Sequence, residues 1–187
     1  ITSSIGSITQ GAGTWNWSYD TSDGPDESQT VTITATDSDG AVTTSTFTLV
    51  VNNVAPTVAA NNATVTVNES DTANNSGTVN DVGDDTVVIT SSIGSITQGA
   101  GTWNWSYDTS DGPDESQTVT ITATDSDGAV TATTFALVVN NVAPTVAANN
   151  ATVTVNEADT ATNSRESNYV GVDAVSITSS TRAITTP

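Results

Sequence analysis

Apolar and polar residues alternate along most of this chain. Phe47, Leu49 and Val51 fall on one side of a segment whose other side carries Thr48, Val50 and Asn52, the period of two of a half-buried strand. Trp103, Trp105 and Tyr107 alternate in the same way, as do Val119, Ile121 and Ala123. Over residues 55–142 the pattern predicts strands at 57–60, 64–68, 76–80, 86–91, 95–98, 102–108, 117–124 and 130–140, separated by Gly, Asn and Asp clusters. No helical period interrupts them. Short strands in regular succession predict an all-β chain of tandem immunoglobulin-like antiparallel β-sandwich domains, with the alternating Trp, Val and Ile residues as the core. An aromatic pair such as Trp103 and Trp105 also suits a sugar platform, but a small sandwich with so few aromatics needs them inside. For Trp15, Trp17, Trp103 and Trp105 alike the core reading is the better one, and a sugar site stands only if one Trp of a pair is exposed.

The pattern repeats. Val51-Asn52-Asn53-Val54-Ala55-Pro56-Thr57-Val58 returns 88 residues later as Val139 to Val146, and its proline cannot donate to a central ladder, so it reads as a joint between domains. Residues 1–43 recur unchanged as 89–131, and residues 55–72 recur as 143–160 with Ala158 in place of Ser70. Beyond that point the third copy drifts. Gly77, Thr78, Val79 and Asp81 are matched by Arg165, Glu166, Ser167 and Tyr169, and Asp84 by Val172. The expected organisation is therefore the later part of an Ig-like repeat over 1–54, a complete repeat over 55–142, and the earlier part of a third, divergent repeat over 143–187. Each end reads as half a sandwich with unpaired strand edges. Two arrangements stand on equal footing. Residues 143–187 of one copy could complete 1–54 of the next in an open head-to-tail filament, or the same sandwiches could form within a longer continuous array.

Charge narrows the partners. With 21 acidic residues against 2 basic ones, no His, no Cys and a net charge of −19, the surface repels nucleic acid and anionic lipid. Apolar runs such as Leu137-Val138-Val139 are far too short to span a bilayer. No thiol nucleophile or disulfide is available, and a general base would have to be a carboxylate in one of many repeated turns, so the expectation is a protein that is not an enzyme.

The carboxylates themselves cluster beside glycine, as in Asp81-Val82-Gly83-Asp84-Asp85, Asp111-Gly112-Pro113-Asp114-Glu115 and Asp125-Ser126-Asp127-Gly128. Such turns gather oxygens for a hard cation. They also arise because Asp caps its own backbone beside Gly, and from spacing alone that second reading is the better one. The stretch Thr122-Ala123-Thr124-Asp125-Ser126-Asp127-Gly128-Ala129-Val130, followed by an alternating strand and Val-Asn-Asn-Val-Ala-Pro, resembles the tandem PKD-like and cadherin-like repeats of large bacterial surface and secreted proteins. In cadherin-type modules calcium is held at the joint by joint residues, an early Glu and an Asp-x-Asp turn. The resemblance implies Asn52, Asn53, Glu69, Asp81, Asp125 and Asp127 as calcium ligands, calcium being the one cofactor expected. Asn replaces the joint Asp of cadherins, and fewer ligand charges imply weaker binding.

Two function classes follow. One is a stiff extracellular or cell-surface spacer, fibre or adhesin stalk, whose partners are other copies of itself or flanking repeats. The other is a calcium-dependent module that binds carbohydrate or a protein partner. Near-identity of repeats favours the first, because a stack needs the same neighbour interface each time. Asn16, Asn62, Asn68, Asn74, Asn104 and Asn150 each open an Asn-x-Ser/Thr acceptor, relevant where a secretory route glycosylates.

Overall fold

The computed structural model describes residues 1–179, and among these there is no helix. The first unit contains β1 (Thr2–Ser3), β2 (Ser7–Gln10), β3 (Trp15–Ser18), β4 (Gln29–Thr36) and β5 (Val42–Leu49). The second contains β6 (Thr57–Ala60), β7 (Thr64–Asn68), β8 (Thr72–Asn80), β9 (Val88–Ser91), β10 (Ser95–Gly99), β11 (Thr102–Asp108), β12 (Gln117–Thr124) and β13 (Val130–Asn140).

The second unit is an Ig-like sandwich of two four-stranded sheets, ordered β10-β11-β8-β6 and β7-β13-β12-β9. All pairs are antiparallel except β7 with β13, which run parallel with Val65 opposite Leu137. The strands lie close to the positions that the alternation predicts. The main difference is β8, which starts at Thr72 instead of 76. Asn74 and Asn75 sit within it because their side chains are occupied, Asn74 Nδ2 donating to the Thr72 carbonyl and Asn75 Nδ2 to that of Asn62.

Between the sheets lie Trp103, Trp105, Val119, Ile121, Phe135, Leu137 and Val139, all buried. Burying one such side chain contributes about 1.5–3 kcal/mol. Trp105 stands edge-on to Phe135 at 5.0 Å, and its Nε1 donates to the Ile93 carbonyl at 2.7 Å. Trp103 packs over β8, where Gly77 is its register partner. Any Cβ at Gly77 would collide with the Trp103 ring and the Ala59 carbonyl, so the sheet admits this indole only because residue 77 has no side chain.

The first unit has the counterparts of β9–β13 but no strand in the place of β6, β7 or β8. It forms a β1-β4-β5 sheet and a β2-β3 hairpin. Residues 143–179 contain no extended strand, yet they keep the approach that β6 makes to β8. Thr145 bridges Asn168, as Thr57 pairs with Asn80, and Asn149 N donates to the Ser164 carbonyl as Asn61 N does to that of Ser76.

Candidate cation sites at the joints

Loops of consecutive units meet at each joint through the same contacts. At the first joint Asp84 N donates to the Ser22 carbonyl at 3.0 Å, and at the second Val172 N donates to the Ser110 carbonyl at 3.2 Å. The bond is made by the backbone, which explains why it survives the change from Asp84 to Val172. Gly24 lies directly against the Asn52 backbone, and Gly112 likewise against Asn140, positions where a Cβ would clash. Both joints are thus built by the repeated sequence.

These contacts bring carboxylates together across the joint. Asp23 of the first unit meets Asp85 and Asp127 of the second, with one oxygen of each within 4.8 Å of the others. Glu69 and Asp111 of the second unit meet Asp173 of the third segment in the same way. Asp23 and Asp111 are repeat equivalents, as are Asp85 and Asp173. A cleft of about 270 Å³ opens at the first joint, lined by Asp23, Asn52, Asn53 and Asp85 among others.

The sequence-derived ligands do not converge on one point; they divide between the two ends of the second unit. Asn53, Asp81, Asp125 and Asp127 lie at the first joint, and Glu69 lies at the second. Asn53 Nδ2 donates to Asp125 Oδ2 at 2.9 Å, while Asp125 Oδ1 accepts from Ala129 N at 2.7 Å. Asn53 Oδ1 and Asp81 Oδ2 are buried and have no hydrogen-bond partner. Asn52 is exposed and contributes its backbone to the packing against Gly24. Glu69 is buried, its Oε1 accepting from Val142 N at 2.8 Å and its Oε2 from Gly112 N at 3.1 Å, so it clamps the second joint from below.

Asp23, Asp85, Asp111 and Asp173 were not among the residues that the resemblance implied. Their signal was the 88-residue period itself, because stacked copies place a loop of one against a loop of the next.

Electrostatics mark the same points. Desolvation pushes the Asp23 carboxyl above its ordinary value, and the neighbouring Asp85, Asp26, Asp84 and Glu27 add to this. Asp111 is raised by desolvation together with Asp114, Asp173, Glu69 and Glu115, and Asp127 by desolvation with Asp85, Asp26, Asp23 and Asp125. Mutual repulsion among close carboxylates is what a bound cation would relieve. Asp125 goes the other way. Desolvation pushes it up, but the bonds from Asn53 and the 127–129 backbone outweigh that and hold it low. Trp103 and Trp105, by contrast, are in the core and form no sugar platform, whereas Trp15, for which the sequence predicts the same core placement, is 43% exposed, with no counterpart of β8 lying over it.

No family model matches the chain, and no curated protein matches it. Among solved structures, the titin domains Z1Z2 in complex with telethonin align with TM-score 0.41 and 20% identity, over 63% of this chain and 64% of that one. A chimeric titin Z1Z2 carrying a decorin peptide aligns with TM-score 0.37 and 21% identity, and covers the same shares. Fibronectin(III)-like modules of Clostridium thermocellum CbhA align with TM-score 0.36 and 16% identity, over 60% of this chain and 63% of theirs. The chain thus spans less than two thirds of the length of each.

Proposed function

We propose that this chain is a segment of an extracellular or cell-surface spacer, a fibre or adhesin stalk of the PKD-like and cadherin-like kind, in which Ig-like units stack head to tail and calcium stiffens the joints. The observation that carries the reading is that equivalent residues of consecutive units form an acidic cluster at both joints, Asp23 with Asp85 and Asp111 with Asp173. Asn53 Oδ1 and Asp81 Oδ2, buried and unpartnered, are further oxygens of the kind that calcium takes. A cation held by both units links them more firmly than the lone backbone bond does. Without it, like charges face each other and the joint loosens. The activity is mechanical and non-enzymatic. A calcium-dependent adhesive role would use the same joints and differ only in an added ligand surface.

Calorimetric titration of the full chain with calcium tests this. Saturable heat and a raised melting temperature are expected, both reduced in Asp85→Asn. No heat and no rise in melting temperature would remove the cation from the account.

A further inference from the structure

Sequence drift in the third segment spares one loop glycine. Asp81-Val82-Gly83-Asp84-Asp85 becomes Tyr169-Val170-Gly171-Val172-Asp173, so the glycine persists while its neighbours at 81 and 84 change in charge and size. Two constraints explain it. Gly83 has φ +103° and Gly171 φ +82°, a backbone conformation that residues with a side chain rarely adopt. Each also sits against the unit before it. A Cβ at Gly83 would lie 2.4 Å from the Ser22 carbonyl oxygen, and one at Gly171 would lie 2.6 Å from that of Ser110 and 3.0 Å from Glu69 Oε2.

The Ser22 and Ser110 oxygens are the ones that accept the bonds across the joints, from Asp84 N and Val172 N. A side chain at either glycine would therefore push away the acceptor of that bond. The acceptor has little room to yield, because the loop that carries it is pinned. Glu27 accepts from Ser22 N at 2.8 Å and Asp23 N at 3.2 Å, and Glu115 accepts from Ser110 N at 2.7 Å and Asp111 N at 3.2 Å. Linker residues 51–54 and loop residues 82–85 both line the cleft at the first joint, so the two units are attached there at two places. Units tied by a linker alone reorient freely, whereas a second attachment leaves a single hinge axis. We propose that Gly83 and Gly171 are the keys of a cation-independent latch. Each seats a loop of one unit against the pinned carbonyl of the unit before it and so sets the direction in which the joint can bend. The inference rests on the spacer reading and gives the joint a restraint that needs no metal; a cation across the cleft then removes the remaining freedom.

The chain has no cysteine, so spin labels can be attached at Thr44→Cys and Thr78→Cys, exposed strand positions in the first and second units. The distance distribution between them is measured by pulsed electron resonance in chelator. The labelled parent is expected to give a restricted distribution, which Gly83→Ala broadens. Gly40→Ala is the control, since Gly40 has φ +87° but nothing within 4 Å of its Cβ position, and it should leave the distribution as in the parent. A second arm needs no substitution. Asp84 and Val172 are exposed residues, yet their amides should exchange with solvent more slowly than those of an unstructured chain, again in chelator. Equal widths for the parent and Gly83→Ala, equal broadening by Gly40→Ala, or unprotected Asp84 and Val172 amides would each overturn the proposal. Calcium is absent from both arms, so failure here is distinguishable from failure of the calcium titration.

Discussion

Residues 1–43 and 89–131 have one sequence and two environments. Several local contacts are the same: Trp17 Nε1 donates to the Ile5 carbonyl at 2.7 Å and stands edge-on to Phe47 at 5.0 Å, the distances of Trp105 to Ile93 and Phe135. Even the loop cap is shared, with Glu27 accepting from Ser22 N and Asp23 N as Glu115 does from Ser110 N and Asp111 N. Burial is not shared. Val31 and Ile33 are buried like Val119 and Ile121, but Trp15 and Ala35 are exposed where Trp103 and Ala123 are covered. Backbone bonding and turn chemistry are thus encoded within about forty residues, while the core depends on β6–β8 from elsewhere in the sequence. The comparison separates what the repeat specifies locally from what it obtains by packing.

The largest way to break it is to remove the indole from each copy. Trp103→Ala should destabilise the second unit by about 3–5 kcal/mol. Trp15→Ala, at an exposed site, should cost less than about 1 kcal/mol, both read from the midpoints of denaturant unfolding. Equal losses would mean that the two environments do not differ. A smaller effect comes from the opposite side of the same contact. Gly77→Ala inserts a Cβ beneath Trp103 and should cost about 1–3 kcal/mol, with near-ultraviolet circular dichroism showing a displaced indole.

The smallest effect is common to both copies. Backbone bonds from Ser22 and Asp23 hold the Glu27 carboxyl below its ordinary value of 4.5, and the bonds to Glu115 do the same against a desolvation that pushes it up. A depressed carboxylate stabilises above its ordinary value, and that contribution is lost as the pH falls through the folded value. Asp23, Asp111 and Asp127 have the opposite sign. Their folded values lie above the ordinary 3.8, so their contribution is complete at low pH and is lost as the pH rises through the folded value. In chelator, mild acidification from neutrality should first raise the melting temperature slightly as the joints discharge, then lower it as the Glu caps protonate. Asp23→Asn/Asp111→Asn should flatten the initial rise, and a rise of unchanged size in that variant would place the repulsion elsewhere.

Much of this architecture is legible in the amino-acid order. Alternation located the strands of the second unit and put Trp103, Trp105, Val119 and Ile121 in its core, because a period of two has one structural meaning when one face is buried. It missed the start of β8, where Asn74 and Asn75 look like turn residues until their side chains find the Thr72 and Asn62 carbonyls. The acidic turns were legible as acidic turns. Their grouping was not, because Glu69 and Asp125 belong to one repeat but lie at opposite ends of the folded unit. Asp23 and Asp85 are 62 residues apart in sequence and become neighbours only through stacking. A motif within one copy cannot express a site that two copies build.

The central claim is that calcium makes the joints stiff. Small-angle X-ray scattering of the full chain in calcium and in chelator tests it most directly. The account predicts a narrower distribution of interatomic distances and a more extended, less flexible particle with calcium, and a loss of that difference in Asp23→Asn/Asp85→Asn/Asp111→Asn. Identical scattering in the two buffers would contradict it.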